Sequence, residues 1–249
     1  METTDLEAFL SRAKALCVLT GSGISQESGI PTFRGNDGLW KQYRAEVLAT
    51  PGAFARDPKL VWEWYAWRRE IIHRAQPNAA HQALVELEAE FSARPGGRFA
   101  LLTQNVDGLH ERAGTGNLIR LHGDIWRLRC TGCGAERQDY SVPLDRLPPH
   151  CSFCFSLLRP AVVWFGESLP QEEWARAADV SASADLFLVI GTSALVQPAA
   201  SLPLLAKQNG GLLIEINPAP TPLSGLADLA IRGKAAEVLG GLSSRIPDA

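Results

Sequence analysis

Several features of membrane, secreted and polyanion-binding proteins are missing from this sequence. Its 249 residues include only five cysteines and no apolar run near the ~20 residues that a transmembrane helix needs. No basic stretch precedes the first apolar run, as it would in an export signal, so we expect a cytoplasmic protein with no membrane partner. The 24 basic and 27 acidic residues leave a net charge of −3, which argues against a nucleic-acid partner.

What is present is the composition of an ordinary globular protein. Hydrophobic residues make up 46% and charged residues 20% of the chain, which argues against disorder or a collagen-like fibre. At about 150 residues per domain, the length predicts one large domain, or one domain with a small insert. Five cysteines are too few for a disulfide scaffold in a chain of this length.

Short apolar runs of strand length alternate along the chain with segments of helical length and period. We predict strands over residues 15–20, 99–103, 118–121, 185–190, 212–216 and 228–231, and helices over 58–75, 78–93, 171–182 and 199–208. This alternation predicts an α/β fold with a mostly parallel, doubly wound sheet that is covered on both faces. A helical insert over 53–93 and a cysteine-rich module interrupt the alternation.

The cysteine-rich module carries two CxxC pairs, CTGC and CSFC, separated by residues 134–150. This spacing is typical of a zinc ribbon, whose four thiolates leave no position for a reacting water, so a zinc hydrolase is not expected. Two alternatives stay open: His150 replaces one cysteine, or the pairs are unrelated reduced cysteines. Cys17 lies in an apolar run and is predicted to be an inert buried thiol. The predicted zinc ligands are Cys130, Cys133, Cys151 and Cys154.

Polar and glycine-rich segments follow the predicted strands, at the edge where a doubly wound sheet binds its ligand. They read GSGIS, QNVDGLH, HGD, GTS and NPAP in chain order. The GSG at 21–23 is the start of a phosphate-binding loop, but Gln26 stands where a dinucleotide fingerprint has its third glycine. A hydride-transferring dehydrogenase is therefore disfavoured, and a merely structural glycine turn stays an alternative. We expect a long loop ending at Phe33 and Arg34 to cover a bound cofactor.

One histidine is placed to act as a general base. His122 follows the third predicted strand, while Asn105 and Asp107 follow the second. An imidazole titrates near neutral pH and can accept a proton beside a cofactor. A structural role is the plainer interpretation of any single histidine, and His110, close to Asp107, is the second choice for the base.

The chain resembles the sirtuin family of NAD-dependent protein deacylases, in its bacterial form. The resemblance rests on the ordered motifs GSGIS, ESGIPTFRG, TQNVDGLH, LHGD, the two CxxC pairs, VVWFGE, GTS and EINP, and it spans residues 6–242. It implies one structural zinc ion, with NAD and an acyl-lysine peptide meeting in a cleft between two domains. The implied units are a Rossmann-like NAD-binding domain over 1–52, 94–126 and 156–249, a helical insert over 53–93 and a zinc-binding module over 127–155.

The same resemblance implies roles for individual residues. His122 would be the catalytic base, with Asn105 and Asp107 also in the reaction centre. The implied NAD-binding residues are Gly21, Ser22, Gly23, Ile24 and Ser25 at the pyrophosphate, Phe33 and Arg34 over the cofactor, Gln104, Asn105 and Asp107 at the nicotinamide and its ribose, Gly191, Thr192 and Ser193 at the phosphate and ribose region, and Asn217, Pro218, Ala219 and Ala235 at the adenosine half. The segment implied to pair with an extended substrate peptide is Val163, Trp164, Phe165 and Gly166.

The predicted helix with the sequence WEWYAWRREII indicates the acyl group. Val61, Tyr65, Arg68 and Ile72 follow a helical spacing and share a face, so Arg68 projects from an apolar stripe. A guanidinium there is costly unless it meets an anion or water. Tyr65 and Arg68 match the pair by which one sirtuin subclass receives a dicarboxylic acyl chain, which implies succinyl-lysine and malonyl-lysine as substrates beside acetyl-lysine. The alternative is an arginine that reaches solvent or pairs with a glutamate.

The resemblance implies NAD-dependent removal of succinyl, malonyl and acetyl groups from protein lysine. The products would be nicotinamide, O-acyl-ADP-ribose and free lysine. Two other functions would use parts of the same site: a sirtuin-like protein ADP-ribosyltransferase or NAD hydrolase, and a non-catalytic NAD-sensing zinc-ribbon adaptor. Acyl-lysine proteins or peptides are the expected partners, and the chain is expected to be a monomer.

Overall fold

The computed structural model describes residues 2–32, 39–40 and 43–243, so Phe33 and Arg34 lie outside the described residues. The helices are α1 (Glu2–Arg12), α2 (Ala45–Leu48), α3 (Pro51–Arg56), α4 (Pro58–Arg74), α5 (Ala79–Ala93), α6 (Leu109–Ala113), α7 (Gln171–Ala182), α8 (Leu202–Gln208) and α9 (Ala235–Ser243), with 3-10 helices at Ser22–Ser28 and Ala199–Ser201. The strands are β1 (Ala15–Thr20), β2 (Leu39–Trp40), β3 (Tyr43–Arg44), β4 (Arg98–Thr103), β5 (Leu118–Arg120), β6 (Gly123–Cys130), β7 (Glu136–Gln138), β8 (Leu158–Val162), β9 (Leu186–Ile190), β10 (Leu212–Ile216) and β11 (Leu229–Ile231). None of the described helices has both the length and the apolar character that crossing a membrane requires.

Parallel strands form the main sheet, in the order β11, β10, β9, β1, β4 and β5. Each of these strands ends within one residue of the segment predicted from sequence, so the parallel α/β fold is confirmed. One predicted helix is shorter than expected: residues 199–201 form a 3-10 helix, and α8 begins at Leu202. The reason is Pro203 in the first turn of α8, because proline has no N–H with which to continue a helix from residue 199.

The main sheet is wound in two directions from its centre. β1, β4 and β5 follow one another toward one edge, and β9, β10 and β11 toward the other. The strand order therefore reverses between β1 and β9, where the following loops diverge and leave a crevice at the carboxyl ends. Gly21 follows β1 and Gly191 follows β9, so both predicted glycine-rich turns lie at this crevice.

Alternate residues of β1 face two separate cores. Leu16 and Val18 pack in a cluster with α5 and α9, whereas Cys17 and Leu19 pack on the opposite face with α7 and α8. This follows from the two-residue repeat of a strand whose two faces are both covered by helices. Burial raises the pKa of the Cys17 thiol to about 12, which agrees with an inert core cysteine.

A further core joins α4 to a small antiparallel sheet. This sheet has the strand order β7, β6, β8 and carries the cysteine-rich module. Trp62 of α4 donates its indole N–H to the Leu158 carbonyl of β8 at 2.8 Å. Within the predicted helical insert, α4 packs on the small sheet and α5 on the main sheet. The division of the chain into domains stays a prediction.

Candidate functional site

A cavity of about 500 Å³ opens at the crevice between β1 and β9. Its walls come from strand ends, from the loop after β8 and from α4, segments that are far apart in the sequence. The predicted cofactor-binding residues that line it are Gly21, Ser22, Gly23, Gln104, Asn105, Gly191, Thr192, Ser193, Asn217, Pro218 and Ala235. The predicted catalytic and substrate-binding residues that line it are His122, Asn105, Tyr65, Val163, Trp164, Phe165 and Gly166.

Other predicted residues lie behind or beside this lining. Within the described part of the chain, these are Ile24, Ser25, Asp107, Ala219 and Arg68. Ile24 packs in the main core, and Ala219 is exposed on the loop after β10. Any contact of these side chains with a cofactor or substrate stays a prediction.

The two glycine-rich turns touch each other. The Gly23 N–H donates to the Gly191 carbonyl at 2.8 Å. A Cβ atom on Gly23 would lie 2.7 Å from that oxygen, and one on Gly21 would lie 2.7 Å from the Thr192 Cβ. Gly191 has φ of 60°, a left-handed conformation that favours glycine. The close approach of the two turns therefore requires glycine at these positions, whether or not a ligand is bound. Together the two turns form one wall of the cavity.

Asn105 and Asp107 organise the turn after β4. The Asn105 side-chain amide donates to the Gly21 carbonyl at 3.1 Å and to Ser25 Oγ at 3.3 Å. Ser25 Oγ donates in turn to Asp107 Oδ2 at 2.8 Å, and the Leu109 N–H donates to Asp107 Oδ1 at 2.9 Å. Burial raises the pKa of Asp107, although both of these hydrogen bonds favour its charged form. With its amide N–H groups engaged, Asn105 offers a ligand its Oδ1 acceptor.

The protonation of His122 follows from its hydrogen bond. Its Nδ1 lies 3.0 Å from the Gln104 carbonyl oxygen, which can only accept, so Nδ1 carries the proton. In the neutral ring, Nε2 is then the atom with the free lone pair. Burial lowers the pKa of His122 below its ordinary value of 6.5, and the Gln104 hydrogen bond opposes this only in part. At neutral pH this residue of the cavity wall can therefore accept a proton at Nε2.

Two other histidines form a buried pair behind the crevice. The ring centroids of His81 and His110 are 4.9 Å apart. His110 Nε2 bonds with Thr20 Oγ1 at 2.9 Å, and Thr20 donates to Thr103 Oγ1 at 2.9 Å. Burial lowers the pKa of both rings, that of His81 to about 4. His110 is thus held in the core, which leaves His122 as the histidine that a ligand in the cavity can reach.

A fully buried carboxylate, Glu215, anchors the loop after β10. The hydroxyls of Thr221 and Ser224 donate to its oxygens. Arg232 Nη1 donates to the same carboxylate at 2.8 Å. Burial alone would raise the pKa of Glu215, but the hydrogen bonds from these three side chains outweigh it and lower the pKa. The anchored loop carries Asn217, which lines the cavity.

Helix α4 contributes Tyr65 to the cavity wall. The stripe predicted on this helix is buried, as its spacing indicates. The Arg68 guanidinium lies 5.5 Å from the ring centroid of Trp64. Burial lowers the pKa of Arg68, while Tyr65 and Asp107 oppose this shift. Arg68 follows Tyr65 by one helical turn. Tyr65 lines the cavity, whereas Arg68 is not part of the lining.

The four predicted zinc ligands come together. Their sulfur atoms lie within 4.8 Å of one another, with Cys130 and Cys154 at 3.3 Å and Cys133 and Cys151 at 3.8 Å. A tetrahedron with Zn–S bonds of about 2.3 Å has sulfur separations of about 3.8 Å, so the cluster fits zinc. Backbone N–H groups also donate to the sulfurs, as they do in metal-binding knuckles. Four thiolates make this a structural zinc site.

Three charged residues of the cavity wall, Glu27, Glu167 and Lys234, were not predicted as site residues from the sequence. Glu27 Oε2 accepts the N–H of Ala236, so the 3-10 helix after β1 is tied to the start of α9. Glu27 and Glu167 lie within the motifs ESGIPTFRG and VVWFGE, but neither was assigned a role at the site, and Lys234 belongs to no motif. The contact of Glu27 with the start of α9, next to Lys234, joins segments 209 residues apart and leaves no local signal.

The fold and the cavity together define a class of protein. Sheets with this topology bind nucleotides at the point where the strand order reverses. Here the cavity at that point also has a neutral histidine on its wall, and the chain carries a structural zinc module. These features describe a nucleotide-dependent enzyme whose zinc takes no part in the chemistry.

Comparison with known proteins gives the family. The model of the Sir2 family matches residues 21–198. The chain is 56% identical over 230 residues to an NAD-dependent protein deacylase 1 of Archaeoglobus fulgidus, covering 92% of each. It is 55% identical over 220 residues to an NAD-dependent protein deacylase of Aquifex aeolicus, covering 88% of this chain and 90% of the relative.

Solved structures agree with this result. A complex of a Sir2 homologue with NAD has a TM-score of 0.91 and 54% identity, covering 97% of this chain and 92% of that one. A complex of Sir2, a p53 peptide and NAD+ has a TM-score of 0.86 and 32% identity, covering 98% of each. The chain belongs to the Sir2 family, and the Rossmann-like fold predicted from its motifs is confirmed.

Proposed function

We propose that this chain removes acyl groups from protein lysine with consumption of NAD, and that it accepts succinyl and malonyl groups beside acetyl groups. The observation that carries the proposal is the neutral His122 on the wall of a cavity at the switch point of a Rossmann-like sheet. The family and the names of its relatives support the deacylase activity. The choice of acyl group rests on α4.

The residues of the cavity fit NAD. The paired glycine turns present backbone to the cavity, where a pyrophosphate can bind, and the loop that carries Asn217 forms the wall for the adenosine half. We assign the nicotinamide end to Gln104 and Asn105, where Oδ1 of Asn105 can accept from a carboxamide N–H. Asp107 and Ser25 support this amide from behind through the hydrogen bonds that hold it.

NAD, when bound, supplies a glycosidic bond to a cationic nicotinamide that is already activated for cleavage. The chain then needs to exclude water and to hold the acyl-lysine amide oxygen against the ribose carbon. His122 can accept a proton at Nε2 from a ribose hydroxyl, whose oxygen would then attack the acyl carbon. Water would complete the reaction by releasing free lysine and O-acyl-ADP-ribose. The peptide that brings the lysine pairs with residues 163–166, which line the cavity.

The acyl group is selected at α4. Tyr65 lines the cavity and Arg68 lies one turn further along the same buried face, with its cation close to the phenol. A carboxylate at the end of a succinyl or malonyl chain would meet both groups, whereas an acetyl methyl would meet neither. Charge-assisted contacts of this kind are worth about 1.5 to 3 kcal/mol, or about ten- to a hundredfold in selectivity.

The deacylase assignment is tested by product analysis. The protein is incubated with NAD and matched succinyl- and acetyl-lysine peptides, and nicotinamide and acylated ADP-ribose are followed by mass. Deacylation forms nicotinamide and acylated ADP-ribose in equal amounts, and only when the peptide is present. Transfer of ADP-ribose to protein, or NAD loss without peptide, would identify a transferase or hydrolase instead. A His122→Tyr variant that binds NAD but forms no product excludes a non-catalytic sensor.

The acyl assignment is tested with Arg68→Met. We expect desuccinylation to fall about ten- to a hundredfold while deacetylation changes little. Arg74→Met, an exposed arginine at the end of the same helix, is the matched control and should change neither rate. Equal losses of both activities in Arg68→Met would overturn the assignment.

A further inference from the structure

Trp164 makes a hydrogen bond that a peptide-binding role does not explain. Its indole N–H donates to the Tyr65 hydroxyl at 2.8 Å, across 99 residues of sequence. Both side chains are 2% exposed, whereas the next residue, Phe165, is 37% exposed. The Trp164 side chain is therefore turned into the core beneath the peptide segment.

This bond decides where the Tyr65 proton can go. An indole N–H is only a donor, so the Tyr65 oxygen accepts from it and cannot return its own proton to the indole. Burial raises the pKa of Tyr65, so the phenol keeps that proton at neutral pH. Tyr65 lines the cavity, and its hydroxyl is left with a proton to donate in another direction.

The indole itself is held from two sides. The Arg159 guanidinium stacks 3.3 Å from the centroid of the Trp164 ring. Arg159 also donates to both oxygens of Glu167, at 2.5 and 2.8 Å, and to the Val162 carbonyl at 2.9 Å. Glu167 closes the ring of contacts, because its Oε2 accepts the Trp164 backbone N–H at 2.8 Å. Both the backbone and the ring of Trp164 are thus fixed by one partly buried ion pair.

We propose that Trp164 is a positioning residue for acyl-group selection: its indole N–H orients the Tyr65 hydroxyl so that the phenol proton is donated to the polar end of a dicarboxylic acyl chain. Phenylalanine at this position would fill much of the same space but would leave the hydroxyl free to rotate. The inference rests on the proposed function, because it assumes that Tyr65 meets the acyl chain. It adds that the selectivity depends on a side chain in the peptide-binding segment.

The test is a double-mutant cycle of Tyr65→Phe, Trp164→Phe and the double variant. The measurement is kcat/KM on matched succinyl- and acetyl-lysine peptides. A neutral hydrogen bond is worth about 0.5 to 1.5 kcal/mol, so we expect each single variant to lower the ratio of succinyl to acetyl kcat/KM about three- to tenfold. The double variant should be no worse than Tyr65→Phe alone, because the two changes remove one interaction.

Trp62→Phe is the matched control. It removes another buried indole hydrogen bond of 2.8 Å in the same core, but one that ends on the Leu158 carbonyl. It should lower stability to a similar degree and leave the ratio of succinyl to acetyl rates unchanged. If Trp164→Phe fails to fold, β-(3-benzothienyl)alanine at the same position keeps the shape of the indole without its N–H and gives the same readout.

The outcomes separate the two proposals. An unchanged succinyl to acetyl ratio in Tyr65→Phe would defeat the acyl assignment itself. Two results would keep that assignment but overturn the role of Trp164. The first is a lowered ratio in Tyr65→Phe with an unchanged ratio in Trp164→Phe. The second is a double variant in which the losses of the two single variants add. Equal losses on both peptides in Trp164→Phe would show a merely structural role and would also overturn it.

Discussion

Glu215→Gln tests whether a carboxylate outside the cavity shapes the cofactor site. The buried carboxylate accepts hydrogen bonds from Thr221, Ser224 and Arg232, and it thereby ties down the loop that carries Asn217. Glutamine has nearly the same shape as glutamate but no charge. Its side-chain NH₂ group replaces one carboxylate oxygen, and it cannot accept the hydrogen bonds that this oxygen accepted. We expect the loop to loosen and the protein to lose stability.

The magnitude follows from the contacts. A hydrogen bond to a charged group contributes about 1.5 to 3 kcal/mol and a neutral one about 0.5 to 1.5 kcal/mol, so three of them lose about 3 kcal/mol. The Arg232 side chain is 35% exposed and can turn to water, which reduces the expected loss to about 2 to 3 kcal/mol. For a chain of this size that corresponds to a Tm lower by about 4 to 12 °C.

Urea unfolding, thermal unfolding and the KM for NAD are the measurements. We expect the loss of stability together with a rise in KM of about three- to tenfold, because the loop must be ordered on binding. Glu90→Gln removes the charge of a partly exposed i,i+4 pair with Arg94 and should cost less than about 1 kcal/mol. A Tm within about 1 °C of the parent, or an unchanged KM, would show that Glu215 does not anchor the cofactor loop.

The same variant has a pH signature, because the folded-state pKa of Glu215 lies below its ordinary value of 4.5. A lowered carboxyl pKa stabilises the fold above the ordinary value, and this contribution is lost as the pH falls through the folded-state pKa. The difference in unfolding free energy between parent and Glu215→Gln should therefore be constant near neutral pH and shrink in acid. A difference that grows on acidification would contradict the assignment.

Three further predictions concern the histidines and the zinc. Because burial lowers the pKa of His122, the acid limb of kcat/KM should lie below pH 6.5, and a limb at higher pH would contradict its role as the base. The buried His81 and His110 stay neutral in the folded protein, whereas in the unfolded chain they take up protons below pH 6.5. The unfolding free energy should therefore fall below pH 6.5 by up to about 1.4 kcal/mol per pH unit for each ring. His81→Gln should reduce this slope. A strong chelator should remove one zinc ion, which metal analysis would measure, and four thiols should then react with Ellman's reagent. The small sheet should lose stability, because the zinc ion no longer joins its two cysteine pairs. Unchanged unfolding of the chelated protein would refute a structural role of the zinc.

Much of the fold could be read from local patterns. Apolar runs bounded by glycine give the strands of the main sheet, because a strand buried on both faces needs a continuous apolar stretch. The cysteine spacing gives the zinc quartet, since two knuckles of fixed geometry suffice for a tetrahedron. The position of His122 after a strand places it at the carboxyl edge of the sheet, where the cavity lies.

Local sequence patterns were enough to predict the strands of the main sheet, the cysteines that bind zinc and the edge of the sheet that holds the site, but not the strands of the small sheet. Three features became visible only in the folded chain: Asp107 lies behind the cavity wall, Glu215 anchors the loop of Asn217, and Trp164 turns inward to Tyr65. Local propensities act between neighbours in the chain, whereas the hydrogen bonds of Asp107 and Trp164 join residues 82 and 99 positions apart, and Arg232 reaches Glu215 because β11 pairs with β10.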